Sequence, residues 1–264
     1  MGANPDRAVA FIRGPTDRVD MHKILVLILS AVFAGSSILQ ADDGDLDKAI
    51  DKAVEILDKY ANEKSDSAPA EGFQKAKGLA IINIFKGGFI FSGSGGTGLV
   101  TVKMKNGKWS PPSAISAGGF GIGLQAGGSN IDYVILMNTD DAVEQFSKEG
   151  NYRGGVEAEG TAGSEGRNLS AGMAGMSAPV TSYSFSEGLF GGVSTSSLAF
   201  GVEDDTNEAF YGEKLESKDI LAGKVKKVPA SVQKLWRALE ETDKKTKVTA
   251  AEAEKKAKES KDKK

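Results

Sequence analysis

Residues 76–115 read AKGLAIINIFKGGFIFSGSGGTGLVTVKMKNGKWSPPSAI, and this stretch restricts the fold more than any other. Residues 79–85 and 88–92 are apolar at consecutive rather than alternate positions, which predicts strands buried on both faces. Lys86-Gly87 separates the two runs. Residues 98–105 alternate instead: Val100, Val102 and Met104 point one way, Thr101, Lys103 and Lys105 the other. Asn106-Gly107 then predicts a two-residue type I′ turn, because both residues tolerate positive φ. The return strand carries Lys108 and Trp109 and is stopped by Pro111-Pro112. The glycine-rich sequence continues over 113–128, where glycines within strands mark bulges, bends or close backbone approach.

Helices frame this region. In 45–60, Leu46, Ala49, Ile50, Ala53, Val54, Leu57 and Tyr60 recur at the spacing of one helical face, and charged residues fill the other. Short helices are predicted over 71–77, 139–146 and 218–222. A longer one is predicted over 231–241, with Val232, Leu235, Trp236 and Leu239 on one side. Further strands are predicted at 132–137, 156–162, 169–176, 180–186 and 189–201, with Glu187-Gly188 as a turn. From Thr242 the chain is Lys/Glu/Ala-rich without an apolar stripe, a solvated, frayed helix or a disordered tail. The expected fold class is α+β: a glycine-rich, mainly antiparallel sheet or barrel-like β core with flanking N- and C-terminal helices. One domain is expected over 42–241.

Residue usage excludes much chemistry. The 264 residues include no Cys and one His, His22. That His falls in a leader-like segment. A short basic start at Met21 is followed by an apolar run over 24–33 and by Leu39-Gln40-Ala41 before two aspartates. This is the pattern of a secretory signal peptide with cleavage near Ala41. The run, about ten residues, falls short of the roughly 20 that span a bilayer. Residues 1–20 do not resemble an export signal, so Met21 is the expected start and the product is expected to be secreted or periplasmic. The mature chain would lack both His and Cys, and with them the usual neutral-pH base and the usual zinc ligands. No enzyme activity, cofactor or metal is expected.

Charge is segregated along the chain. Residues 42–71 hold ten acids against four bases, and 217–264 hold fifteen bases against eight acids. Residues 72–131 carry six lysines and no acid: Lys75, Lys77, Lys86, Lys103, Lys105 and Lys108. They are the candidate surface for anionic headgroups or an acidic partner; the alternative is that they neutralise acidic blocks within the fold. Nucleic acid is not expected, since the chain is net acidic and no aromatic-interleaved basic motif is present. Residues 93–98 match GxGxxG, but a strand follows where a dinucleotide site needs a helix, so a glycine-rich turn is expected. Glu157 and Glu159 share a strand face without a cleft across which to act. Asp204, Asp205, Asn207 and Glu208 lack the spacing of a known calcium loop.

Several segments together resemble the SYLF domain, also called the Ysc84 actin-binding or DUF500-type domain. They are Ala76-Lys77-Gly78-Leu79-Ala80-Ile81, Lys86-Gly87-Gly88-Phe89-Ile90-Phe91-Ser92-Gly93 and the Asn-Gly-Lys-Trp-Ser-Pro-Pro-Ser-Ala-Ile run at 106–115. Tyr183-Ser184-Phe185-Ser186-Glu187-Gly188-Leu189-Phe190, Phe210-Tyr211-Gly212 and Leu235-Trp236-Arg237-Ala238-Leu239 come next in order. The resemblance implies a non-enzymatic lipid-binding module. Eukaryotic members are phosphoinositide binders, some of which bind and bundle actin; exported bacterial members are lipid-binding proteins. Phe185 and Glu187 replace residues that tend to be basic in the eukaryotic pattern, and the leading helix is acidic. These departures, with the expected export, argue against phosphoinositide and actin binding. The expected partner is therefore a lipid or membrane surface at the cell envelope, bound through the six lysines. The alternative is a scaffold protein that binds a partner or self-associates through its glycine-rich sheet.

Overall fold

A computed structural model describes residues 45–62, 68–147, 152–171 and 180–261. The leader expected over 21–41 lies outside these residues. The chain divides between Gln40 and Ala41, and all of the described residues belong to the second unit. Its elements are α1 (Asp45–Asn62), α2 (Ala68–Lys75), β1 (Gly78–Val102), β2 (Ser113–Met137), α3 (Asp140–Ser147), β3 (Tyr152–Ala171), β4 (Val180–Val202), α4 (Asp204–Tyr211), α5 (Ser217–Leu221) and α6 (Ala230–Lys261). The four strands form one antiparallel sheet in the order β1-β2-β4-β3, open between β1 and β3. The class is α+β as expected, and the sheet forms rather than the barrel-like closure.

The strands are longer than the sequence predicts. Lys86-Gly87 and the 93–98 glycines do not interrupt β1, which runs 25 residues. Glu187-Gly188 likewise lies inside β4. The glycines admit a fold-back rather than ending a strand. Ile90 sits at φ 64, and the register with β2 shifts between Phe89 and Phe91. On either side of that bend the two halves of β1 meet backbone to backbone. A Cβ at Gly96 would lie 1.9 Å from the Asn83 carbonyl oxygen, and one at Gly98 2.2 Å from that of Ile81. Only glycine leaves room for this approach.

The hairpin also differs in detail. Gly107 takes φ 79 and its N–H donates to the Met104 carbonyl at 2.8 Å, while Lys103 bridges to Trp109. Asn106 is not among the positive-φ residues. The loop is therefore a three-residue turn closed by a left-handed glycine, not a type I′ pair. The Asn106 side chain accepts from the Lys108 N–H at 3.0 Å and stiffens it.

Both faces of the β1–β2 pair are covered over residues 79–84 and 98–102, as the first apolar run requires, but the second run, 88–92, is not a doubly buried strand: Phe89, Ile90 and Phe91 at the bend are exposed. On one face Leu79, Ile81, Leu99, Val134 and Leu136 pack with Leu46, Ile50, Leu57 and Tyr60 of α1 and with Val232, Leu235 and Leu239 of α6. On the other, Ile82, Ile84, Val100, Ile115 and Ile135 pack with Phe146, Phe200 and Leu221. The charged side of α1 is used internally too. Lys59 donates to Asp132 of β2 at 3.1 Å, Lys52 lies 3.5 Å from it, and Asn83 donates to it at 2.7 Å.

The tail beyond Thr242 is helical through Lys261, so α6 spans 32 residues and about 48 Å. Beyond Leu239 the helix is held by polar rather than apolar burial. Gln74 of α2 donates to the buried Thr246 hydroxyl at 2.7 Å and to the Asp243 carbonyl at 3.1 Å. Lys234 pairs with Asp51, and Lys245 with Asp58, each at 3.1 Å. The acidic leading helix and the basic C-terminal block thus neutralise each other across the α1–α6 contact.

Candidate functional site

The Trp-Ser-Pro-Pro-Ser segment that stops the hairpin is an anchoring point. Prolines cannot donate, so their carbonyls and the flanking serines need outside partners. Thr101 and Val102 of β1 supply those of the Ser110 hydroxyl, and the C-terminal helices supply others. The Trp236 indole N–H donates to the Ser110 carbonyl at 3.0 Å. The Tyr211 hydroxyl donates to the Pro112 carbonyl at 2.5 Å, and burial pushes its phenol far above the ordinary range. Asn207 accepts from the Ala114 N–H at 2.8 Å and donates to the Ser113 hydroxyl at 3.1 Å. Asn207 is buried and fully engaged in this clamp, which removes it from any acidic cation cluster. Among the described residues no group of acidic or imidazole side chains is placed to hold a metal.

The clamp sets the hairpin against α6 and leaves a groove of about 750 Å³ between them. Lys103, Met104, Gly107, Lys108 and Trp109 form one wall; Gln233, Trp236, Glu240, Asp243, Lys244 and Lys247 form the other. Both tryptophans of the chain line it. The Lys103 ammonium stands 5.2 Å from the Trp109 ring and 5.7 Å from that of Phe73, within cation–π range. Partial burial holds the Lys103 pKa below its usual value, partly opposed by the Asp243 carboxylate. The unfolded chain therefore binds this proton more tightly, so the charged Lys103 costs stability at neutral pH, and the cost fades as pH rises toward 10.5. A half-buried cation beside the Trp109 indole, in a groove that Trp236 also lines, suits recognition of an anion carrying an apolar neighbour. Lys247 is tied to Asp243 at 2.6 Å, whereas the exposed Lys108 and Lys244 have no acidic partner among the described residues.

The six sequence-predicted lysines are dispersed. Lys103 and Lys108 line the groove, and exposed Lys105 lies in the hairpin turn next to it. Lys77 pairs with Asp140 at 2.6 Å and Lys75 with Glu71 at 3.6 Å. Lys86 is turned inward, 3% exposed. Sequence reasoning missed the α6 wall, Trp236 excepted as a core residue, because Lys244 and Lys247 sit in a segment with no apolar stripe. The GxGxxG glycines are strand glycines with no helix after them. Glu157 and Glu159 lie on β3 opposite Ser196 and Ser194, and their side chains are outside the described residues.

A family model described as Ysc84, Las17-binding protein actin regulator, matches residues 118–242. LAS seventeen-binding protein 3 of Saccharomyces cerevisiae is 42% identical over 175 residues, 65% of this chain and 38% of that protein. Protein YSC84 of the same yeast is 42% identical over 176 residues, covering 65% and 37%. The human SH3 domain-containing YSC84-like protein 1 is 38% identical over 195 residues, covering 72% and 57%. The chain thus spans about two-fifths to just over half the length of these relatives. No solved structure matches it. The family and the first of these relatives are named for a protein they bind, not for a lipid or a reaction, and this corrects the partner expectation. A lipid or membrane surface rested on six lysines acting together, which the fold separates; discounting actin rested on Phe185, Glu187 and the acidic leading helix together with an expected export whose leader is outside the described residues.

Proposed function

The chain belongs to the Ysc84, or SYLF, family, and from that premise we propose that it is a non-enzymatic protein-binding module of the actin-regulator type. It docks an acidic segment of a partner protein in the groove between the hairpin and α6. The observation that carries this reading is the groove itself: two indoles, a half-buried ammonium at Lys103, and two exposed lysines without acidic partners among the described residues. Aromatic anchors ringed by such cations fit a protein ligand that brings carboxylates around an apolar side chain. The names of the relatives and of the family support a protein partner, and filamentous actin is the first candidate.

The test is cosedimentation of the full chain with actin filaments. The wild type is expected to pellet with filaments and to lose binding as salt rises. Lys108→Glu/Lys244→Glu should weaken binding roughly ten- to thirtyfold, from about 0.7–1 kcal/mol lost at each reversed contact. Absence of pelleting at low salt would remove actin as the partner. Unchanged affinity in the double variant would remove the groove as the site.

A further inference from the structure

The bend of β1 carries a second feature that the groove does not use. Five large apolar residues near it are exposed: Phe85 at 57%, Phe89 at 72%, Ile90 at 43%, Phe91 at 59% and Phe120 at 73%. They lie together because Phe120 pairs with Gly93 across the β1–β2 ladder, two residues from Phe91. The Phe85 ring rests beside Gly87 and Gly128, 3.2 and 3.4 Å from where their Cβ atoms would stand. Next to the rings the strand is bare: nothing stands within 4 Å of a Cβ at Gly93 or Gly95. Neither residues 87–102 nor residues 113–131 contain a charged side chain.

We infer that this face joins two copies of the chain. Three observations favour a second copy over another occupant. First, the patch has both protruding rings and a flat glycine floor, so the rings of one copy can lie on the floor of the other under a twofold axis, residue i meeting j as j meets i. Second, it has no charge with which to select a partner of opposite sign, whereas an uncharged surface meets its own copy without like-charge repulsion. Third, the area suffices. The exposed fractions of the four phenylalanines amount to about 500 Å² of ring surface per copy, taking roughly 200 Å² per ring. Two copies would bury about 1,000 Å², the lower bound of a specific interface. A paired module would present two grooves, and linked sites bind a repetitive partner more tightly than one site does.

The test is sedimentation equilibrium of the full chain from about 1 to 100 μM, for wild type, Phe89→Ser/Phe120→Ser and Gly95→Phe. The wild type should be dimeric at the upper concentrations. The serine variant, which changes only exposed rings, should be monomeric with an unchanged melting temperature. The glycine variant fills the floor and should also be monomeric. Lys108→Glu/Lys244→Glu should remain dimeric, which separates this surface from the groove. A wild type monomeric at 100 μM would overturn the inference. So would a dimer that persists in both patch variants, or a monomer whose patch instead partitions onto phosphatidylcholine vesicles.

Discussion

Gly98→Ala is expected to destabilise the protein by about 3 kcal/mol or more, while Gly95→Ala three residues away leaves it unchanged or slightly more stable. At Gly98 the added methyl would stand 2.2 Å from the Ile81 carbonyl oxygen and 2.8 Å from the Ile82 Cα. Both neighbours are backbone, so relief requires the two halves of β1 to separate where Leu99, Val100, Ile81 and Ile82 are all buried. Ordinary overpacking of side chains already costs about 1–3 kcal/mol, and a backbone clash has less room to relax. At Gly95 a methyl meets nothing within 4 Å and reduces only the freedom of the unfolded chain. The check is the urea midpoint of each variant. Equal midpoints would mean that β1 does not close on itself as described.

Asp132→Asn is expected to cost about 3 kcal/mol, the low end of what breaking a buried ion pair costs. The carboxylate is 6% exposed and faces Lys59 at 3.1 Å, Lys52 at 3.5 Å and the Asn83 amide at 2.7 Å. Removing its charge leaves two ammonium groups of α1 over a buried site, paired with the exposed Glu55 carboxylate at 3.1 and 3.3 Å. Each lysine keeps about a third of its side chain in solvent, which is why the loss stays at the low end. Lys59→Met alone should cost less, since Lys52 remains. Combined with Asp132→Asn it should add little, giving a coupling energy of about 1 kcal/mol or more. Additive losses in the double-variant cycle would show that the contact is not a working pair.

The α+β class, the face α1 buries and the double-sided burial of residues 79–84 were legible, whereas 88–92 was misread, since an unbroken apolar run at the bend of β1 is exposed rather than core. The strand lengths were not. Glycine at 93–98 and at 188 is a turn signal when read locally, whereas Gly96 and Gly98 serve a close approach by residues 81–84 that no local window contains. The reach of α6 was hidden for a related reason. Thr242 and Thr246 are buried through hydrogen bonds to neighbouring carbonyls and to Gln74, which carry no apolar signature. Two groove residues, Lys103 and Lys108, were singled out for their charge. Their neighbours Lys244 and Lys247 were not, since the α6 wall exists only once Trp236 has locked onto Ser110.

The site itself is tested most directly by carbodiimide coupling, which joins a carboxylate to an amine only where the two already touch. The full chain is mixed with actin filaments at low salt, coupled, digested and analysed for cross-linked peptides. The groove reading predicts links from filament carboxylates to Lys103, Lys108 and Lys244. Links confined to Lys75, Lys77 or the C-terminal lysines beyond Lys247, with none in the groove, would contradict it.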